Sequence, residues 1–241
     1  MERLGRDFFV KIIRFVKNRY ATRGAIQSFS GSGEDLIIFD ILKKLKKKAI
    51  CYIDIGSHDP IYGNNTYLLY RNGGSGILVE PNKHLCNKTK LKRSRDKCLN
   101  LGVGGSDGEA DFYFFDRDTR STFSKEESIA WEKLSGQKAK IEKKKLLSLD
   151  SIIKMLNGKN PDLVSIDTEG LEIDILSKYS WFKKPAIFCI ENSASSGIRK
   201  DNQIVSIMKK QGYVEVAKTF ANSIFIRDEE YKNLIYNTIH A

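Results

Sequence analysis

The sequence predicts an α/β domain built on a parallel β-sheet. Three observations point there. Residues 50–55 (ICYIDI) and 76–79 (GILV) are short apolar runs with a helical segment between them, which makes a βαβ unit and hence a parallel pair of strands. Residues 163–166 and 185–190 repeat the pattern of a short apolar run near a helical segment. Each of the four runs ends at an acid: Asp54, Glu80, Asp167 and Glu191. Ligands of open parallel sheets bind outside the carboxyl ends of the strands. One acid in that position is commonplace and can simply cap a helix; four in the same position are harder to ascribe to chance.

The chain has 241 residues, with 41 Lys and Arg against 30 Asp and Glu, a net charge of +11. Residues 1–23 carry seven basic side chains, Arg3 to Arg23, against Glu2 and Asp7, with Leu4, Phe8, Phe9, Ile12, Ile13, Phe15 and Val16 at roughly helical spacing. They read as a basic amphipathic helix spanning residues 1–25, ahead of a domain of residues 26–241. Such a helix packs on its own domain or on a second copy of the chain, giving a homodimer, or lies peripherally on an anionic membrane surface. Residues 27–35 (QSFSGSGED) are small and polar. Ser32 is placed to cap a helix over residues 36–45, with Asp35 three positions on. Lys43, Lys44 and Lys46 to Lys48 end that helix, where its dipole favours cations.

The first strand ends in Asp54-Ile-Gly56, where the chain must turn sharply. Glu80 follows Gly56 by 24 positions (80 − 56), close to the ~20 of nucleoside-cofactor folds, in which a carboxylate binds the ribose hydroxyls. His58 and Ile61 stand where a G-x-G-x-x-G pattern would place its second and third glycines. The turn therefore suits a nucleoside without a pyrophosphate, such as S-adenosylmethionine, better than a nicotinamide dinucleotide.

Residues 83–97 read as a basic helix and residues 98–103 as a strand. Residues 102–108 are rich in turn formers, 110–115 (ADFYFF) form a further strand and 120–124 (RSTFS) a loop. Residues 138–145 are basic and suit an edge strand, where lysines block unwanted pairing. A helix over 148–156 is broken by Asn157-Gly158 and Asn160-Pro161. Helices are expected over 171–176 and 204–211, the second closed by Gly212. The late strands 213–216 and 223–227 are placed to pair antiparallel.

No apolar run approaches the ~18 residues of a membrane span, and residues 8–13 are too short and too interrupted by Lys11 for a signal peptide. Cys51, Cys86, Cys98 and Cys189 show no C-x-x-C spacing, which argues against a zinc ribbon. Cys51 and Cys189 lie in apolar runs and read as buried thiols of a reducing compartment, so the expected location is cytoplasmic, with the N-terminal helix as the element that would bring the chain to the inner face of the membrane. The positive charge favours anionic partners. The basic runs 43–48 and 138–145 contain no aromatic residue, so a nucleic-acid or anionic-surface binding role has little support, and no N-P-P-Y-type base-gripping motif is present.

Several motifs together resemble the FkbM-type family of S-adenosylmethionine-dependent methyltransferases. They are SFSGSGEDL at residues 28–36, YIDIGSH at 52–58, NNTY at 64–67, GILVEPN at 76–82, STFS at 121–124, VSIDTEG at 164–170 and CIEN at 189–192. Gly31-Ser32 depart from the polar residue that the family often carries before G-E-D, and residues 1–23 lie outside the resemblance. The resemblance implies a Rossmann-like class I methyltransferase fold, a mostly parallel seven-stranded sheet flanked by helices with its last strand antiparallel. It implies methylation of a hydroxyl, often on a sugar of a polysaccharide, a glycolipid or a natural product. By position, Asp54, Gly56 and Ser57 would hold the methionine end of the cofactor, Glu80 and Pro81 the ribose, and Gly102 and Val103 the adenine. Asn65, Glu169 and Glu191 would face the acceptor.

The sulfonium cofactor carries the electrophile, so the protein must orient an acceptor oxygen and take its proton. Asp167, where methyl and acceptor would meet, is the first candidate base and His58 the second, though His58 could equally be structural. Glu169 either holds acceptor hydroxyls or caps the helix that follows. Asp167 and Glu191 alone are too few carboxylates to claim a divalent metal.

Overall fold

Parallel strands covered on both faces need side chains that are apolar on both faces, and the four apolar runs above become the middle of the main sheet. The computed structural model of the chain describes residues 26–115, 120–192 and 201–239. In chain order its strands are β1 (Cys51–Ile55), β2 (Ser75–Val79), β3 (Lys97–Leu99), β4 (Gly102–Gly104), β5 (Gly108–Phe114), β6 (Lys140–Ser148), β7 (Leu163–Ile166), β8 (Ile187–Glu191), β9 (Tyr213–Lys218) and β10 (Asn222–Arg227). Seven of them form one sheet in the order β3-β2-β1-β7-β8-β10-β9. β10 runs antiparallel to both its neighbours, and the remaining pairs are parallel. This is the mostly parallel seven-stranded sheet with a reversed last strand that the resemblance implied. The chain steps outward from β1 to β3, then returns to the other side of β1 as β7. Strand order therefore reverses between β1 and β7, and the carboxyl ends of those two strands flank the crevice where such folds bind ligands.

The helices are α1 (Glu34–Lys44), α2 (Tyr67–Arg71), α3 (Lys83–Lys92), α4 (Lys125–Ser135), α5 (Leu149–Lys154), α6 (Glu172–Lys178), α7 (Asp201–Lys210) and α8 (Asp228–Ile239). Side chains alternate across each strand. Ile53, Ile55, Val164, Ile166, Phe188 and Ile190 face one way and pack against Ile152, Ile153, Ile175, Leu176, Ile204 and Met208 of α5, α6 and α7. Tyr52, Leu163, Ile187, Cys189 and Ile224 face the other way, against Ile38, Ile41 and Leu42 of α1, Leu69 of α2 and Cys86 of α3. Each such apolar side chain contributes ~1.5–3 kcal/mol on full burial. Asp54 shares the face of Tyr52, so its carboxylate lies on the side of α1 to α3 and not on that of α5 to α7.

Several local expectations are corrected. Gly33, with φ +87°, precedes α1 in place of a Ser32 cap. Asp35 does not complete a capping box but folds back on the loop before it, accepting from Phe29 N at 2.7 Å and from the hydroxyls of Ser28 and Ser30. Glu34 accepts from Thr219 Oγ1 and Asn222 Nδ2, tying α1 to the β9–β10 hairpin. The basic helix expected over 83–97 stops at Lys92, and Lys97–Leu99 is already β3. The strand expected over 98–103 is two strands in two sheets. β4, β6 and β5 form the second sheet, with β6 in the middle. Leu146 has neighbours on both sides, Leu147 and Ser148 pair with β4 alone, and residues 140–145 pair with β5 alone and keep an open edge, which is where lysines oppose further pairing. α4 went unread, although Ser124 and Glu127 have capping-box spacing and Ser124 Oγ does accept from Glu127 N. Cys189, Cys86 and Cys98 are buried and Cys51 is half-buried; all four are free thiols. No helix among the described residues is long and apolar enough to cross a membrane. The helix expected over residues 1–25 lies outside the described residues.

Candidate active site

β1 ends in a turn that only glycine permits. Gly56 has φ +75°, and a Cβ placed on it would lie 1.7 Å from the Asp167 carbonyl oxygen. The turn therefore packs backbone to backbone against the end of β7. Gly56 N and Ser57 N donate to the Val79 carbonyl, and Asp167 N donates to that of Ile55, which fixes the ends of β1, β2 and β7 together.

A cavity of about 210 Å³ opens at these strand ends. Gly56, His58, Glu80 and Pro81 form one side. Gly102, Val103 and Phe112 of the second sheet, with Phe123, form another, and Asp167, Thr168 and Glu169 close the third. Glu80 accepts from His58 N at 2.8 Å and from Asn82 N at 2.7 Å, so two backbone amides hold its carboxylate on the wall. A carboxylate fixed in this way is what two vicinal hydroxyls need as acceptor. The rings of Phe112 and Phe123 stand 4.7 Å apart, and a Cβ on Gly102 would come within 2.3 Å of the Phe123 ring. The absence of a side chain at Gly102 lets that ring close over the apolar wall. His58 and Glu169, neither of them glycine, sit in the left-handed region at φ +46° and +52°.

Four residues expected at the site are not on the cavity wall. Asp54, expected to hold the methionine end, is 3% exposed and faces the other side of β1. There it accepts from Thr66 Oγ1 at 2.6 Å and Asn64 Nδ2 at 3.2 Å. Burial raises its pKa against those hydrogen bonds and the nearby Arg93. Asn65, expected at the acceptor, instead donates to Ser165 Oγ at 3.1 Å, joining the start of α2 to β7. Ser57 is buried, and its hydroxyl has no hydrogen-bond partner. Glu191, also expected at the acceptor, is 6% exposed at the end of β8.

Glu191 nonetheless reaches the catalytic candidates. Carboxylate oxygens of Asp167, Glu169 and Glu191 all lie within 4.8 Å of one another. Asp167 meets the cavity but is otherwise enclosed, and its pKa is pushed up to about 8, first by burial, then by Glu169 and Glu172. Burial and Asp167 push that of Glu191 well up. Arg120 Nη1 lies 3.3 Å from Glu169 Oε2, and its guanidinium stacks over the Trp131 ring at 5.4 Å. Sequence reasoning passed over Arg120, Phe112, Phe123 and Thr168. The S-T-F-S motif that contains Phe123 was the available signal.

The Methyltransferase FkbM domain matches residues 54–215, from the end of β1 into β9. The chain belongs to the FkbM methyltransferase family. No curated protein matches the sequence. Solved structures of similar outline include a TehB-like SAM-dependent methyltransferase from Corynebacterium glutamicum, 11% identical over 90% of this chain and 96% of that one, TM-score 0.43. Another is a SAM-dependent O-methyltransferase from Thermotoga maritima, 10% identical over 88% and 69%, TM-score 0.45. A third is the magnesium protoporphyrin IX methyltransferase of Synechocystis with SAM bound, 9% identical over 80% and 77%, TM-score 0.41. The family assignment rests on the domain match.

The methyl donor of this methyltransferase is S-adenosylmethionine, and the site fits it. The Glu80 carboxylate, fixed by backbone amides, would accept from ribose hydroxyls, and Val103, Phe112 and Phe123 would offer a flat base an apolar wall.

Proposed function

We propose that this methyltransferase transfers the methyl group to a hydroxyl oxygen, on a sugar of a glycan, a glycolipid or a related metabolite. The observation that carries the reading is Asp167, a carboxyl on the cavity wall whose pKa is pushed up to about 8. S-adenosylmethionine, when bound, supplies an electrophilic methyl group and requires no further activation. An alcohol is a poor nucleophile until its proton leaves, and a general base works best when its pKa lies near the working pH. Asp167 takes the hydroxyl proton as the oxygen attacks. Glu169, held by Arg120 and by the Thr122 hydroxyl on its carbonyl, orients neighbouring hydroxyls of the acceptor. His58 faces Asp167's cavity from the β1 side and is the second candidate base.

Incubating the full chain with labelled S-adenosylmethionine and a panel of sugar nucleotides, oligosaccharides and simple phenols tests this. Label appearing on a sugar oxygen supports the reading, and label confined to nitrogen or carbon acceptors refutes it.

A further inference from the structure

Three carboxylates whose oxygens lie within 4.8 Å of one another cannot all ionise without strong mutual repulsion. The most enclosed of them is Glu191, 6% exposed, with an Oε2 that makes no hydrogen bond. The charged groups that face Asp167 come from every neighbouring element. Glu191 approaches it from β8, Glu169 from the turn after β7 and Glu172 from α6, and Asp54, on the other face of β1, adds a smaller repulsion. Glu127 of α4 packs beside Gly170, and Glu80 and His58 share its cavity. Among the described residues, the cations near this group are committed elsewhere: Arg120 pairs with Glu169, and Arg93 donates to Asn64 and Thr66, which hold Asp54.

We propose that Asp167 and Glu191 share one proton in the free protein and release it to solvent when S-adenosylmethionine binds, so that Glu191 is the positioning residue that determines when Asp167 becomes a base. The inference rests on the reading above that places Asp167 beside the transferred methyl. A positive sulfonium next to the pair favours its fully ionised form. The carboxyl O–H bond breaks, the proton passes to buffer and no electrons are exchanged. Asp167 is then free of the shared proton only when a methyl donor is present. The demethylated product is a neutral thioether at that position, so it does not hold the pair ionised. The proton that Asp167 takes from the acceptor hydroxyl as its O–H bond breaks restores the singly protonated pair as the thioether forms, and binding weakens. In the free protein burial raises the pKa of both acids, Glu169 and Glu172 raise that of Asp167 further and Asp167 raises that of Glu191, while the hydrogen bond with Glu191 favours ionised Asp167, so the shared proton rests on the Glu191 side.

The test is calorimetric titration of the full chain near neutral pH, in buffers of different ionisation enthalpy. S-adenosylmethionine should release about one proton per site, and S-adenosylhomocysteine clearly less. In Glu191→Gln the amide cannot hold the proton but can still donate a hydrogen bond to Asp167, the interaction that favours its ionised form, so release should fall clearly below one proton per site and the acidic limb of the kcat/KM profile should move to lower pH. A merely structural Glu191 would change affinity without changing the proton count. Should Glu191→Gln fail to fold, the contrast between the two ligands on the unaltered chain decides the matter. Binding of S-adenosylmethionine without proton release, or equal release with both ligands, overturns the shared proton and leaves the functional reading standing. Proton release without transfer to any hydroxyl overturns the functional reading and leaves the shared proton standing.

Discussion

The Arg93 guanidinium lies 2.7 Å from the Asp96 carboxylate, and neither side chain has any exposed surface. Arg93 also donates to Asn64 Oδ1, Tyr52 Oη and Thr66 Oγ1, each at 3.0 Å. Asn64 and Thr66 in turn hold Asp54. One buried cation thus supports the polar groups beneath the Gly56 turn from the far side of β1. Removing it leaves Asp96 and Asp54 buried without their countercharge. Arg93→Met should destabilise the fold by ~3–5 kcal/mol, measured by urea unfolding. The double variant Arg93→Met/Asp96→Leu should lose less than the sum of the single changes.

Glu80→Ala should weaken S-adenosylmethionine binding by ~1–3 kcal/mol, the cost of leaving hydrogen-bonding partners unsatisfied. Titration calorimetry reads this directly. Unchanged affinity would remove Glu80 from the ribose.

Asp167→Asn keeps the shape of the side chain and removes its basicity. It should bind the cofactor nearly normally and lose ~10²–10⁴ in turnover on the hydroxyl acceptor, the usual worth of a general base. The unaltered chain should be insensitive to chelators. A rate that collapses with chelator and returns with Mg²⁺ would make the Asp167, Glu169 and Glu191 carboxylates metal ligands, and near-normal turnover in Asp167→Asn would shift the base to His58.

The same acid gives the free protein a pH-dependent stability. Folding raises the pKa of Asp167 from 3.8 to about 8. The native state therefore binds the proton more tightly than the unfolded one. The contribution is fully present below pH 3.8 and is lost as pH rises to about 8. Thermal melts of the free protein across that window should show Asp167→Asn with a shallower decline than the unaltered chain. Parallel slopes would show that Asp167 titrates normally.

Much of the sheet was legible because β1, β2, β7 and β8 are apolar on both faces and end at acids, a pattern that neither an amphipathic helix nor a surface strand produces. The reversed pair β9 and β10 was legible as two short runs rich in β-branched and aromatic residues close together in the chain, although β9 is only partly buried. Arg93 was not, because it lies in the run K-L-K-R-S-R-D, where every neighbour reads as solvated surface and only the fold turns one guanidinium inward. Asp54 was located correctly but oriented wrongly: alternation along β1 puts it with Tyr52, on the face away from the cavity. The proximity of Glu191 to Asp167 depends on β7 and β8 being neighbours, which their sequence separation does not reveal. Phe112 and Phe123 reach the cavity only because the second sheet folds back beside the first.

Two rim residues, His58 and Glu169, hold backbone angles that suit glycine. Each costs the fold ~1–2 kcal/mol relative to a relaxed conformation. Glycine at either place would relieve that cost, so His58→Gly or Glu169→Gly should raise the melting temperature of the chain while loosening the rim around bound ligand. Selection for heat resistance alone would drift toward glycine at both positions and erode activity as it went. The rim is a place where durability and catalysis pull the sequence in opposite directions.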